Sequence, residues 1–170
     1  MIPYPNADEY NPYYEPYVQK FKGEDVLAVL ARGIEDVNEL VASLTEEQLK
    51  SAYEEGKWTI KEVLQHIMDT ERIFCYRALR FSRNDKTNLP GFEQDDFVPY
   101  SGANERNSME MLREYNAIRQ STITLFKNFT DEMLARVGIA SDNEMSVRAL
   151  AYIAAGHEKH HLNVINERYL

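Results

Sequence analysis

Four stretches of this chain place apolar residues at the 3.6-residue period of an α-helix. Four such stripes are most simply buried by packing the helices around one core. Between Gly23 and Leu44 the stripe runs Val26, Leu27, Leu30, Ile34, Val37, Leu40, Val41 and Leu44. A second helix starts at the capping box Thr59-Ile60-Lys61-Glu62, preceded by Trp58, and is predicted to run to about Arg83. Its inner face carries Ile60, Val63, Leu64, Ile67, Phe74 and Leu79. Asn107 or Ser108 caps a third, with Met111, Leu112, Tyr115, Ile118, Ile123, Leu125, Phe126 and Phe129. Ser146 caps a fourth, from Val147 to about Arg168, whose inner face is Leu150, Ile153, Ala154, His157, His161, Val164 and Ile165. Thr45-Glu46-Glu47-Gln48 reads as a box for one short turn, and Gly138 to Asn143 as a loop. No segment reads convincingly as a strand. The long connection from Asn84 to Asn107 holds Pro90-Gly91, Pro99 and the acidic residues Glu93, Asp95 and Asp96, and suits a lid or a crossover. The expected fold is therefore all-α, a four-helix bundle with a long crossover between its second and third helices.

A length of 170 residues fits a single domain. Residues 23–170 form the bundle, and residues 1–22 precede it as an arm with four prolines and five tyrosines. The prolines restrict the arm to extended or turn conformations, and the tyrosine rings favour a strap across the bundle or a second subunit. That makes a homodimer the expected assembly. The net charge of −9 argues against nucleic acid or an anionic membrane as a partner. The start Met1-Ile2-Pro3-Tyr4-Pro5-Asn6 has neither the basic nor the apolar part of a secretory signal, so the cytoplasm is the expected location. Cys75 is the only cysteine, which excludes an internal disulfide and a cysteine-rich zinc site.

Three of the four histidines fall in Gly156-His157-Glu158-Lys159-His160-His161. His157 and His161 stand four residues apart, so they stack on one helix face. His66 interrupts Leu64-Gln65-His66-Ile67-Met68, a segment otherwise suited to a core. Facing helices of a bundle build metal sites from inward side chains of this kind. The predicted ligands are His66, His157 and His161, with His160 turned about 100° away toward solvent or a supporting position. Three imidazoles leave a position for water or substrate, the pattern of catalytic rather than structural sites. They suit Zn²⁺, Ni²⁺, Fe²⁺ and Cu²⁺ alike, so the sequence does not choose the native metal, and zinc or nickel is the ion expected in a crystal.

His157-Glu158-Lys159-His160-His161 also spells H-E-x-x-H, the zinc-protease motif. That reading loses because only nine residues follow His161, Glu167 is their one acidic candidate for a downstream ligand, and no strand is expected to align a peptide. Glu158 remains a candidate base beside the first ligand, against the plainer reading of a surface residue next to Lys159. On the second helix His66, Ile73, Arg77 and Arg80 share a stripe, which suggests a polar pocket, against the commoner outcome of two solvated arginines.

With these blocks in place the chain resembles the DinB-like superfamily, which includes bacillithiol S-transferases and mycothiol-dependent enzymes. The resemblance rests on Trp58 to His66 and on Ser146-Val147-Arg148-Ala149-Leu150-Ala151-Tyr152 running into Gly156 to His161. It implies an up-down-down-up bundle, a divalent metal on His66, His157 and His161, and frequently a homodimer. For activity it implies a metal-dependent enzyme acting on a small-molecule substrate, either a thiol S-transferase or a hydrolase. Arg77 and Arg80 would then receive an anionic substrate or a low-molecular-weight thiol. The alternative is a non-catalytic, dimeric metal-binding bundle with a binding or stress-response role. A polar, water-filled pocket at the metal would favour the enzyme, and a sealed apolar one the alternative.

Overall fold

The structure, a computed structural model, describes all of residues 1–170. In chain order its helices are α1 (Glu15–Val18), α2 (Val26–Ala42), α3 (Glu46–Leu49), α4 (Ile60–Ser82), α5 (Gln94–Phe97), α6 (Ser108–Lys127), α7 (Asp131–Ala135) and α8 (Val147–Arg168). The four long ones are the predicted four, and their caps are those the sequence offers. Asp25 caps α2, Thr59 and Glu62 close a capping box on α4, Asn107 caps α6 and Ser146 caps α8. No helix is long and apolar enough to cross a membrane.

The long helices pair α2 with α6 and α8, and α4 with α6 and α8, which leaves α2 and α4 on one diagonal. Side-chain contacts give the directions. Lys61 meets Arg106 and Glu71 meets Arg119, so α4 and α6 run parallel. Tyr169, just past α8, donates to the Trp58 carbonyl just before α4, so these two run antiparallel. Leu30 and Gly33 of α2 meet Arg119 and Tyr115 of α6 in reverse order. The result is an up-down-down-up bundle, with residues 84–107 as the crossover from α4 to α6.

Two apolar clusters fill the interior. One joins Val26, Leu30, Phe74, Phe81, Phe126, Val147 and Ala149 to Ala155, and the other Val37, Leu40, Ile60, Leu64, Leu112 and Ile165. Between them, on the same helices, lies a polar layer that includes Thr70, Glu71, Arg119, His157 and Glu158. The sequence's histidine block thus falls where the hydrophobic core is interrupted.

Two expectations need correction, and the arm resolves two alternatives. Gly138 to Asn143 is not a loop but most of a hairpin, β1 (Val137–Ala140) paired antiparallel with β2 (Asn143–Ser146). Its turn residues, Ser141 and Asp142, have φ of 51° and 60°, the left-handed pair that a two-residue hairpin turn requires. Leu89 of the crossover adds to the edge, its N–H 2.9 Å from the Ile139 carbonyl. Leu79 faces outward at 39% exposure, because Phe74, Ala78 and Phe81 take the inner positions. The arm takes the turn form of the two its prolines allow, as short helical turns with Pro12 and Pro16 in first-turn positions where a missing N–H costs nothing. Of the two surfaces expected for the arm, it straps its own bundle: Ile2, Tyr10, Val18 and Phe21 are buried in the first apolar cluster.

The arm is held along α8. Tyr152 donates from its hydroxyl to the Ile2 carbonyl at 3.1 Å, and Arg148 pairs with Glu9. Gly156 permits the close approach, since a Cβ there would collide with the Tyr17 backbone. This contact brings Tyr17 beside the histidines.

Candidate metal centre

His66 reaches inward from α4, and His157 and His161 from successive turns of α8. The His66 Nε2 lies 3.0 Å from the His157 Nε2, and the His161 Nε2 lies 3.1 Å from the His157 Nε2. One nitrogen from each ring falls within 4.8 Å of the other two. The walls fix these rings by packing. Trp58 tilts against His66 at 5.0 Å between ring centres, Phe74 meets His157 edge-on at 6.0 Å, and Tyr17 meets it edge-on at 5.8 Å. The Thr70 Oγ1 stands 3.4 Å from the His66 Nδ1.

Burial controls the electrostatics. It holds His66 down at about 4 and His161 at about 3, the latter helped by its neighbours His66 and His160. His157, the most enclosed, is pushed well below the usual imidazole range by the same loss of solvent and by the other three histidines. All three rings are therefore neutral at pH 7, with lone pairs free to ligate. Three neutral imidazoles that turn ring nitrogens on one another cannot all be satisfied by hydrogen bonds among themselves. A shared cation resolves this, so the donor set fits a divalent ion.

With His66 buried behind them, His157 and His161 form one wall of a cleft of about 460 Å³. Its other walls include Tyr13, Tyr14 and Tyr17 of the arm, Thr70, Phe74 and Arg77 of α4, Phe92 to Asp95 of the crossover, and Ser141 of the hairpin. The crossover thus contributes to the site, as its length suggested. His160 is half-buried at the rim, its ring centre 5.5 Å from that of Tyr17. Sequence reasoning named the tyrosines and the acidic loop but did not place them here.

The remaining candidates separate. Arg77 is buried and lines the cleft. Arg80 does not join it: one helical turn on, its guanidinium pairs with Asp85 and Tyr76 at the surface. Glu158 is neither a base beside His157 nor a surface residue. Its carboxylate lies in the interior on the α2 and α6 side, where Arg119 bridges it to Glu71. Arg119 Nη1 donates to Glu158 Oε1 at 3.0 Å, and Nε and Nη2 donate to the two oxygens of Glu71 at 2.9 and 2.7 Å. The Tyr115 hydroxyl stands 2.7 Å from Glu158 Oε2 and 2.9 Å from the Gly33 carbonyl, with one proton to serve them. Burial works against the charge on Arg119, but Glu158 and Glu71 more than offset it and hold its pKa well above the ordinary value. Gly33 makes room, since a Cβ there would strike Glu158 and Arg119. The carboxylates that do line the cleft are Glu93 and Asp95.

Known proteins are similar to this chain in sequence or in fold. A protein of Oceanobacillus iheyensis, provisionally named a metal-dependent hydrolase, is 30% identical over 130 residues, covering 74% of this chain and 73% of that protein. One of Geobacillus thermodenitrificans, with the same provisional name, is 24% identical over 147 residues, 84% and 83% of the two chains. The solved structure of YfiT from Bacillus subtilis, described as a probable metal-dependent hydrolase with an unusual four-helix bundle topology, superposes with a TM-score of 0.74 at 17% identity. That match covers 84% of this chain and 82% of YfiT. Residues 29–165 match the model of the DinB superfamily, and the chain belongs to that family.

Proposed function

We propose that His66, His157 and His161 hold one divalent metal ion and that the protein is a metal-dependent hydrolase of small substrates. The observation that carries this reading is the convergence of three neutral imidazole nitrogens, two of the rings, His157 and His161, lining an open, polar cleft. A structural metal would call for a closed set of four ligands. Such an ion, when bound, supplies Lewis-acid polarisation and acidifies a water or a thiol. The chain's own residues do the rest. Trp58, Phe74 and Tyr17 hold the rings in place, and Thr70 sits where it can accept the His66 Nδ1 proton and leave Nε2 free to ligate. Any carboxylate base for the reaction comes from Glu93 or Asp95, not from Glu158. Cys75 is no nucleophile, since burial pushes its thiol up to about 11.

Thiol S-transfer is the second reading, favoured by a cleft large enough for a small thiol and an electrophile together. One experiment tests both. Protein purified without affinity nickel is reconstituted with zinc or nickel and screened on small esters, amides and phosphoesters, and on thiols paired with one electrophile. Metal-dependent hydrolysis supports the first reading, and turnover only with a thiol supports the second. Neither activity, with the metal bound, supports the non-catalytic alternative.

We also propose a homodimer. The tyrosines of the arm no longer argue for it, because the protein's own bundle covers most of them. Its support is the set of exposed apolar side chains that remain, Tyr76, Leu79, Phe97 and Tyr100 among them. Light scattering at twice the chain mass of 19.8 kDa is expected, and the single-chain mass at micromolar concentration contradicts it.

A further inference from the structure

Two guanidiniums are buried in this bundle to the same degree, Arg119 at 0% and Arg77 at 2% exposure, and they are treated in opposite ways. Arg119 has two carboxylates. Arg77 has none: it takes part in no ion pair of the protein. Its Nη2 makes two long contacts to neutral oxygens, the Pro90 carbonyl at 3.4 Å and the Ser141 Oγ at 3.2 Å. Its Nε is buried without any acceptor, the one such side-chain atom in the molecule. Nη1 has no acceptor in hydrogen-bond geometry and is not sealed off, so it faces the cleft that the residue lines. The Tyr14 hydroxyl lies close enough to interact with the guanidinium, but as a neutral group, since burial raises its pKa and it supplies no charge at neutral pH. A buried charge is ordinarily paired, because removing it from water without a counter-ion is expensive. Everything here is arranged as for a counter-ion that the chain itself does not provide.

We propose that Arg77 is an anion-binding subsite of the histidine cleft and that the substrate carries a carboxylate which it holds. The geometry that selects a substrate is then a carboxylate at Arg77 with the scissile group toward His157 and His161, which line the same cleft. The chemistry of the cleft narrows the anion. Glu93 and Asp95 line it too, so a second negative charge on the ligand is repelled and a monoanion fits better than a phosphoryl dianion. A planar carboxylate also matches the fork of donors on a guanidinium. This inference rests on the proposed function only in placing the substrate at the histidines, since Arg77 needs no metal to bind an anion.

The test uses the full chain labelled with ¹⁵N-arginine, with the metal removed by chelator and again after zinc loading. Benzoate is titrated in and the Nε–H resonance of Arg77 is followed, assigned by through-bond connectivity to its own backbone in uniformly labelled wild-type protein. Benzamide, the neutral isostere, and phenyl phosphate are the controls. Saturable benzoate binding to metal-free protein is expected, with a shift of the Arg77 signal that benzamide does not produce and weaker binding of phenyl phosphate. Arg77→Gln is expected to weaken benzoate at least tenfold, and Arg77→Lys, which keeps the charge without the fork, by less. Equal binding of benzamide, or full benzoate affinity in Arg77→Gln, overturns the proposal, and tighter phenyl phosphate overturns the choice of a monoanion. Benzoate that binds only the zinc-loaded protein, and equally to Arg77→Gln, places the anion on the metal and ends this proposal while leaving the metal site intact. Arg77-dependent binding in a protein that takes up no zinc leaves this proposal standing and removes the metal. If circular dichroism shows that neither variant folds, the contrast of benzoate with benzamide at the wild-type Arg77 resonance decides alone.

Discussion

Replacing Arg119 by methionine tests what the buried charge layer contributes. The side chain is fully enclosed, and its five N–H donors are spent on Glu71, Glu158 and the Leu30 carbonyl. Methionine fills a similar volume but leaves two buried carboxylates facing each other without a cation. Breaking a buried pair in this way costs about 3–5 kcal/mol, from a total of about 5–15 kcal/mol for a domain. With a urea slope of about 2 kcal/mol per molar for a chain of this size, the unfolding midpoint is expected to fall by about 2 M. Far-ultraviolet circular dichroism against urea at pH 7 measures it. The triple change Glu71→Leu, Arg119→Met and Glu158→Leu removes every charge at once and is expected to regain most of the loss, since apolar replacements of whole buried ion clusters are often neutral or better. A loss below about 1 kcal/mol for Arg119→Met alone refutes the reasoning, because it means that the two carboxylates escape to water or take up protons at little cost.

Two further outcomes follow from the arm. Gly156→Ala places a Cβ against the Tyr17 backbone and is expected to cost about 1–3 kcal/mol, and to open the arm to trypsin at Lys20 before the bundle unfolds; unchanged stability and protection contradict the close contact. The Glu9 clasp sets a pH dependence. Burial raises its carboxyl, but hydrogen bonds from Arg148 and its neighbours outweigh this and lower it from 4.5 to about 2. A carboxyl depressed on folding stabilises above its unfolded pKa and loses that contribution as pH falls, here between about 4.5 and about 2. Glu9→Gln is therefore expected to be less stable than the wild type at pH 7 by about 1 kcal/mol, as for a solvent-screened pair, and equal to it near pH 2.

Much of this was legible in the sequence because helices announce themselves twice, by period and by cap. Thr59 with Glu62 and Ser146 before Val147 marked two starts, and the placement of His66, His157 and His161 on inner faces brought them together as expected. The ion cluster was legible too, by a signal passed over. Arg119 falls in step with Leu112, Tyr115, Thr122 and Phe126, Glu71 with Leu64, Ile67, Phe74 and Ala78, and Glu158 with Ala151, Ala155, Leu162 and Ile165. Charges of both signs on the core stripes of three helices are the mark of a buried ion cluster. Reading only apolar positions hides it. Arg80 was misplaced for the opposite reason: one step of three from Arg77 is enough to carry a side chain from a cleft to the surface. The hairpin was hidden because Ser141-Asp142 is a weak turn signal beside the usual Asn-Gly, and strands of four residues leave little period to detect.

The central claim is that three histidines from two helices form one metal site, and calorimetric titration of zinc into the metal-free protein tests it most directly. One ion per chain is predicted, with affinity falling at least a hundredfold in each of His66→Ala, His157→Ala and His161→Ala. His161→Ala in particular is predicted to keep its helical signal and cooperative melt, because the apolar clusters rather than the ion hold the bundle together. Wild-type affinity in His66→Ala, or no saturable zinc binding by the unaltered chain, contradicts the account.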